Sequence, residues 1–152
     1  AKYESQLVES MEILILNGPN LNLLGQREPE IYGNTSFESF LEDLKQEFPQ
    51  FQLRYFQSNI EGELVNHIQE AGLNKIKVVF NPGAYSHTSI ALRDAIKGSS
   101  AEVIEVHLSN IHARESFRHT SYTGGVSQGL ISGFGLNSYR LALSVFGDQL
   151  SS

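Results

Sequence analysis

Five short apolar runs alternate along the chain with apolar stripes at helical spacing, and this alternation strongly constrains the fold. The runs predict strands at residues 11–16, 53–56, 76–80, 101–108 and 126–132. Between them, apolar residues recur every three to four positions, as in helices that pack one face on a core. Such alternation predicts a parallel sheet that is covered by helices on both faces.

Capping residues predict where the helices begin. Thr35 and Ser36, followed by Glu38, resemble a capping box at the start of the first helix. Ser86 or Thr88 is suited to cap the third helix. Together these signals predict an α/β fold, namely a flavodoxin-like, doubly wound, five-stranded parallel sheet with helices on both faces.

Length and composition limit the classes of protein that remain. The 152 residues predict a single domain over 11–152, and residues 1–10 lack periodicity and are interpreted as an extension. The net charge of −6 argues against general nucleic-acid binding. No apolar run approaches the roughly 18 residues that a membrane span needs. Because the chain has no cysteine and opens with no secretory pattern, we expect a cytoplasmic protein without thiolate chemistry.

The fourth predicted strand ends in an unusual set of polar side chains. Since side chains alternate along a strand, Glu105, His107 and Ser109 share one face, while Val106 and Leu108 take the other. One interpretation is a buried ladder of satisfied hydrogen bonds. The other is that Glu105 orients His107 for proton transfer, at the strand end where open α/β sheets place their ligands.

Neutral polar residues recur where the other predicted strands end. They are Asn17, Asn20, Ser58, Asn59 and Asn81. In an open α/β sheet the ligand crevice lies at these carboxyl ends. The set suits a polyhydroxylated ligand, although any single asparagine is more often a turn or cap residue.

The connection over residues 19–33 is long and lacks periodicity, which is typical of a functional lid or a disordered loop. It carries Arg27 and Tyr32. A phenol is a poor base at neutral pH, but a neighbouring guanidinium favours the phenolate. Taken alone, Arg27 is better interpreted as a solvated arginine, and Tyr32 as a tyrosine that packs the loop down.

Further candidates lie on the helical and loop segments. Arg114 and Arg118 are four residues apart and would share one face if the segment is helical, where they could form an anion or diol clamp near Ser109. The alternative is a pair of surface charges. His87 alone is interpreted as a packed or capping histidine, and Asp94 as a surface ion-pair residue.

Several common site patterns are absent from the sequence. No glycine-rich dinucleotide motif or phosphate loop follows the first strand, and no nucleophile elbow occurs. His107 and His112 lack convincing further ligands for a metal. The lysines fall away from the strand ends, which disfavours a Schiff-base route.

Five blocks of sequence together resemble the type II 3-dehydroquinate dehydratases. The blocks are LNGPNL (16–21), LGQREP with YG (24–33), QSNIEG (57–62), NPGAYSHTS through RDA (81–95) and EVHLSNIHARE (105–115). The likeness covers about residues 11–146, and only the stretch 124–132 fits loosely. The resemblance implies reversible dehydration of 3-dehydroquinate to 3-dehydroshikimate in the shikimate route to aromatic compounds.

The resemblance also implies catalytic roles. Tyr32 would take the proton from C2, with its phenolate favoured by Arg27. Asn20 would hold a water that stabilises the enolate. His107, steadied by Glu105, would protonate the departing C1 hydroxyl. These roles match the base, the stabilised enolate and the acid that such an elimination requires.

Substrate-binding roles follow from the same resemblance. Asn81, Leu108 and Ser109 would hold the substrate carboxylate, whereas His87 and Arg118 would bind its hydroxyls.

The remaining implications concern the lid and the assembly. Arg114 would support the lid, and Asp94 would reach in from a neighbouring subunit of a homododecamer built from trimers. The resemblance implies no cofactor and no metal.

Two alternatives from other classes remain at this point. One is a flavodoxin-like domain that binds a flavin or nucleotide without catalysis. The other is a non-enzymatic assembly protein of the same fold, in which the asparagine-rich strand ends are ordinary turns.

Overall fold

The computed structural model describes residues 11–24 and 36–150. Its strands are β1 (Met11–Asn17), β2 (Phe51–Gln57), β3 (Lys77–Asn81), β4 (Val103–His107) and β5 (Gly129–Ser132). Its α-helices are α1 (Phe37–Glu47), α2 (Glu61–Leu73), α3 (Ile90–Ser99) and α4 (Asn137–Leu150). The predicted extension, residues 1–10, lies outside the described residues.

The strands form one parallel sheet in the order β2-β1-β3-β4-β5. This order is the doubly wound, flavodoxin-like arrangement, so the predicted fold is confirmed. The register pairs Asn17 with Asn81 and Phe80 with Glu105. The polar ends of β1, β3 and β4 therefore lie side by side at the carboxyl edge of the sheet.

Each face of the sheet is covered by two helices because the strand residues alternate between two apolar clusters. Ile13 and Ile15 of β1 join the cluster with α1 and α4, whereas Leu14 and Leu16 join the cluster with α2 and α3. Burying a leucine or isoleucine side chain stabilises a fold by about 1.5–3 kcal/mol. In the central strands β3 and β4, residues 78–80 and 103–106 are apolar on both faces, as buried parallel strands require, except for the polar Glu105.

The helix starts differ in detail from the predictions. Ser36 caps α1 by accepting a hydrogen bond from the Ser39 backbone at 3.2 Å, so the bond does not involve Glu38; Thr35 lies outside the described residues. The prediction that Ser86 or Thr88 caps the third helix is wrong, because residues 83–87 form a 3-10 turn. Ser89 caps α3 instead, accepting from the Leu92 backbone at 2.9 Å.

Two strands are shorter than predicted. β4 covers Val103–His107 within the predicted 101–108, so Ser109 lies beyond the strand. β5 covers Gly129–Ser132 within the predicted 126–132, because residues 124–126 form a 3-10 turn. The alternation that places Glu105 and His107 on one face is retained, and both residues are buried.

Candidate active site

A cavity of about 200 Å³ opens at the carboxyl edge of the sheet, where sequence analysis placed the ligand crevice. Eight predicted site residues line it: Asn20, Asn81, His87, His107, Leu108, Ser109, Arg114 and Arg118. The turn after β1 adds apolar surface to the cavity wall through three leucines, Leu21, Leu23 and Leu24. The walls therefore combine two histidines, two arginines, two amides and a hydroxyl in one small volume.

The ends of β1 and β3 hold two of the lining asparagines. Asn20 has a left-handed backbone with φ of 70°, a conformation that asparagine tolerates, and its N–H donates to Asn59 Oδ1 at 2.9 Å. Asn81 is buried, and its Oδ1 accepts from the Gly83 N–H at 3.1 Å. Its Nδ2 donates to the Tyr139 hydroxyl at 3.0 Å, so both ends of the Asn81 amide are held.

The Glu105 carboxylate and the His107 imidazole are joined directly. His107 Nε2 lies 2.7 Å from Glu105 Oε2, and Glu105 is completely buried, whereas His107 lines the cavity. Because a carboxylate only accepts hydrogen bonds, Nε2 carries the proton and Nδ1 is the ring nitrogen left to exchange a proton with a ligand. This is the orientation that the sequence analysis gave as one of two interpretations.

His87 forms a second imidazole wall beside His107, with ring centroids 6.1 Å apart. Its Nδ1 donates to the Thr120 carbonyl at 2.7 Å, and its Nε2 lies 3.3 Å from Ser86 Oγ. Burial lowers the pKa of His87, and nearby positive charge on His107 and Arg118 lowers it further, against the opposing effect of the Thr120 carbonyl. The lowered pKa favours neutral His87, which can accept a hydrogen bond at Nε2.

The two arginines reach the cavity from separate turns. The idea that Arg114 and Arg118 share a helix face is wrong, because residues 111–113 and 116–119 form two short 3-10 turns with Arg114 between them. Arg114 Nη1 donates to Ser109 Oγ at 3.2 Å. Arg118 Nε donates to Glu115, and this guanidinium lowers the pKa of the Glu115 carboxyl. Positive charge therefore lies at the cavity wall beside the Ser109 hydroxyl.

Three predicted site residues are not brought to this cavity by the described part of the chain. Asp94 lies on α3 with its side chain largely exposed and 3.0 Å from Arg93 Nη1. It is not among the lining residues of the cavity. Arg27 and Tyr32 lie outside the described residues.

Three residues that sequence analysis did not assign to the site, Tyr139, Ser121 and Thr123, form hydrogen bonds to its polar groups on the side away from the cavity. Tyr139 is fully buried, and its hydroxyl donates to Asn17 Oδ1 at 2.7 Å while accepting from Asn81. Burial raises the pKa of the Tyr139 phenol, which stays protonated. Ser121 Oγ donates to Glu105 at 2.6 Å, and Thr123 Oγ1 donates to its other oxygen.

No local pattern marked these three residues. Tyr139 is one of several apolar positions in the stripe of α4, and Ser121 and Thr123 fall in a segment without periodicity. The signal that could have suggested them is the buried carboxylate of Glu105, which requires hydrogen-bond donors from elsewhere in the chain.

The part of the chain that the structure describes, residues 11–24 and 36–150, lacks two kinds of feature. Within these ranges, no group of three or more histidine, aspartate or glutamate side chains is placed to hold a metal ion. None of the helices described there has the length and apolar character required to span a bilayer.

Comparison with known proteins matches nearly the whole chain to one family. The family model described as dehydroquinase class II matches residues 11–147. A curated 3-dehydroquinate dehydratase from Brucella canis is 53% identical over 133 residues, which are 86% of this chain and 85% of that protein. The flavin- or nucleotide-binding alternative is not favoured by this match.

Two solved structures have the same fold over nearly their full length. The type II dehydroquinase from Propionibacterium acnes superposes with a TM-score of 0.86 at 42% identity, covering 90% of this chain and 96% of that one. The type II dehydroquinase from Butyrivibrio crossotus also gives 0.86, at 44% identity, covering 95% of this chain and all of the other.

Proposed function

Because this chain belongs to the class II dehydroquinase family, we propose that it is a hydro-lyase that reversibly dehydrates 3-dehydroquinate to 3-dehydroshikimate in the shikimate pathway. The observation that carries the proposal is the Glu105–His107 pair at the wall of the cavity. An imidazole held by a buried carboxylate, beside arginines and neutral hydrogen-bonding groups, suits acid-assisted loss of a hydroxyl from a polyhydroxylated carboxylate.

The first half of the proposed reaction removes a proton. The Tyr32 phenolate takes the proton from C2, next to the ketone, and Arg27 stabilises that phenolate. The electron pair of the broken C–H bond moves into an enolate, whose oxygen is stabilised by a water that Asn20 holds. Asn20 supports this role because it lines the cavity in a backbone conformation fixed by its bond to Asn59.

The second half expels the hydroxyl from C1. His107 in its imidazolium form donates a proton to the departing oxygen, the C1–O bond breaks, and water leaves as the enolate collapses to the conjugated enone. Glu105 holds the Nε2–H of His107 at 2.7 Å, which directs Nδ1 toward this task. The proton that Tyr32 gained is then returned to His107 through solvent, so the enzyme is regenerated.

In this proposal one set of residues binds the carboxylate of the substrate. Asn81, Leu108 and Ser109 hold its carboxylate, with Asn81 fixed by Gly83 and Tyr139. The hydroxyl groups of the substrate are bound by a second set of residues.

His87 and Arg118 bind the hydroxyls, His87 accepting through its neutral imidazole. Arg114, which donates to Ser109 Oγ, supports the lid that carries Tyr32. In this proposal the cavity offers the substrate the positive charge of the two arginines and the neutral imidazole of His87 as a hydrogen-bond acceptor.

Two further elements of the proposal concern the setting of the enzyme. Asp94 completes the site of a neighbouring subunit in a homododecamer built from trimers, which accounts for its exposed position away from its own cavity. The enzyme is cytoplasmic and needs neither cofactor nor metal. Mass measurement by light scattering tests the assembly, and an Asp94→Asn variant tests the contribution from a neighbour.

A dehydration assay tests the proposed activity. The purified full chain is mixed with 3-dehydroquinate, and the ultraviolet absorbance of the conjugated enone product is followed with and without borohydride. We expect turnover that borohydride leaves unchanged. No turnover would overturn the proposal, and loss of turnover only with borohydride would indicate an imine route instead of an enolate.

Matched histidine variants test the assignment of the acid. His107→Asn is expected to reduce kcat by roughly 10²–10⁴-fold, the usual contribution of general acid catalysis. His112→Asn is the control, because His112 is exposed and is not among the cavity-lining residues. Tyr32→Phe is expected to reduce kcat similarly. Equal activity of the His107 and His112 variants would contradict the assignment.

A further inference from the structure

One short turn, residues 120–124, lies behind both histidines of the cavity. Its Thr120 carbonyl accepts the Nδ1–H of His87 at 2.7 Å. Its Ser121 and Thr123 hydroxyls donate to the two oxygens of Glu105, which in turn holds His107. The 120–124 turn therefore contacts each imidazole, directly or through one carboxylate.

The Glu105 carboxylate receives donors from three directions. Oε2 accepts from His107 Nε2 at 2.7 Å and from Ser121 Oγ at 2.6 Å, while Oε1 accepts from Thr123 Oγ1. Glu105 and Thr123 have no exposed surface, so water does not compete for these bonds. Donors on both oxygens fix the rotation of the carboxylate about its terminal bond, and with it the direction in which Oε2 holds the His107 ring.

The backbone of the turn is arranged so that the Ser121 proton points at Glu105. The Gly124 N–H donates to Ser121 Oγ at 2.9 Å, which uses an acceptor position of that oxygen and directs its proton elsewhere. A Cβ atom at Gly124 would lie 2.8 Å from a Leu130 methyl and 3.0 Å from Ser121 Oγ. A larger residue at this position would therefore have to displace the Leu130 side chain and would crowd the Ser121 hydroxyl.

Two further bonds secure the turn to its surroundings. Ser127 Oγ donates to the Thr123 carbonyl at 2.8 Å, and the Tyr122 N–H donates to the Ser86 carbonyl at 2.7 Å. The second of these ties the turn to the segment that carries His87. Backbone groups of the turn at Tyr122, Thr123 and Gly124 are therefore hydrogen-bonded, which holds the Ser121 and Thr123 hydroxyls in place.

We propose that Ser121 and Thr123 are positioning residues that act through Glu105 to hold His107 in the Nε2–H tautomer, with Nδ1 left to exchange the proton. Their catalytic effect rests on the proposed function, in which His107 is the acid. Their effect on the His107 tautomer does not, because it follows from the hydrogen bonds alone. Neither residue is among those that line the cavity, so the two hydroxyls are not catalytic groups.

The main test compares Thr123→Val, which keeps the shape but removes the hydroxyl, with Thr123→Ser, which keeps the hydroxyl. Thr123→Val is expected to lower kcat about tenfold with little change in KM, a part of the roughly 10²–10⁴-fold contribution of general acid catalysis. Thr123→Ser should restore most of the loss. Ser127→Ala is the control, because Ser127 holds the same turn without touching Glu105, and it should change kcat by less than about twofold.

A double-mutant cycle separates action through Glu105 from a general effect on the fold. In a Glu105→Gln background, Thr123→Val should lower kcat no further, because the residue it positions is already altered. Equal and additive losses in both backgrounds would overturn the proposal. Should Thr123→Val fail to fold, Ser121→Ala replaces it in the same cycle.

The imidazole ¹⁵N spectrum gives a readout that needs no turnover. In the full chain, at a pH high enough for the His107 ring to be neutral, His107, identified by its absence from a His107→Asn spectrum, should show one protonated Nε2 and one unprotonated Nδ1. Thr123→Val should give averaged shifts from two tautomers. Unchanged His107 shifts would overturn the proposal, whereas an inactive wild-type protein with this spectral response would overturn the proposed function alone.

Discussion

Gly18 lies so close to Pro82 that a Cβ atom at Gly18 would be 2.5 Å from the Pro82 carbonyl oxygen. The Gly18 N–H also donates to the Asn81 carbonyl at 2.7 Å. The loops that follow β1 and β3 are therefore joined backbone to backbone just below Asn20. This contact fixes how far apart the two asparagine-bearing loops stand at the cavity.

Gly18→Ala is expected to lower the free energy of unfolding by about 1–3 kcal/mol, because the added methyl group must push two backbones apart. Urea denaturation provides the measurement. Gly62→Ala is the matched control: a Cβ there meets no atom within 4 Å, and this position lies in α2. That change should stabilise the protein by about 0.4–1 kcal/mol. Similar effects of both changes would contradict the contact.

Ser89→Ala should destabilise the protein by about 0.5–2 kcal/mol, because the first turn of α3 loses the hydroxyl that accepts the Leu92 N–H. Thermal unfolding followed by circular dichroism measures the change. Thr88→Ala serves as the comparison, since Thr88 is exposed and provides no cap. A larger loss from Thr88→Ala than from Ser89→Ala would refute Ser89 as the cap.

Tyr139→Phe removes the buried hydroxyl between Asn17 and Asn81 and leaves the amide groups of both without this partner. We expect a loss of about 1–3 kcal/mol in the free energy of unfolding. If Asn81 holds the substrate carboxylate, KM should also rise about fivefold, the equivalent of one ordinary hydrogen bond.

The control for this change is Tyr85→Phe, since the Tyr85 hydroxyl donates at 2.7 Å to a carbonyl in a half-exposed position. Water can replace that bond, so the free energy of unfolding should change by less than about 1 kcal/mol. A rise in KM for Tyr85→Phe equal to that for Tyr139→Phe would argue against specific positioning of Asn81.

His87 is expected to titrate below its ordinary value of 6.5, because burial and the nearby cationic groups lower its pKa. The sign for stability follows: below about pH 6.5 the unfolded chain takes up a proton that the folded chain still refuses, so the free energy of unfolding falls. This fall ends once the pH is below the folded-state pKa.

Nuclear magnetic resonance titration of the His87 ring measures the midpoint, with His87→Gln used to assign the signal. Urea denaturation over the same pH range should show a smaller acid-side loss in His87→Gln than in the parent protein. A midpoint above 6.5 would contradict the predicted direction.

The sequence predicted the order of strands and helices because each element carries its own periodic signal. It also predicted that Glu105 and His107 share a face, since alternation along a strand is a local property. Whether Ser86, Thr88 or Ser89 caps α3 could not be decided locally, because three neighbouring hydroxyl residues offer the same chemistry. The 3-10 turn over residues 83–87 decides it by moving the helix start to Ile90.

The groups behind the site could not be predicted because they come from distant parts of the chain. Thr123 and Glu105 are 18 residues apart, and Tyr139 and Asn17 are 122 apart. A pattern within one helix or strand therefore cannot include both partners of such a bond. A buried carboxylate shows that donors are needed but does not identify them.

In the sheet, β3 lies between β1 and β4, so the groups at the ends of β1 and β4 are two strand spacings apart. Neighbouring strands lie about 4.8 Å apart, which makes the span about 10 Å. The width available to a ligand between the loop of Asn20 and the ring of His107 is thus set by backbone hydrogen bonding. Substitutions at the cavity wall can change which chemical groups of a ligand are held, but they leave this spacing between the two strand ends unchanged.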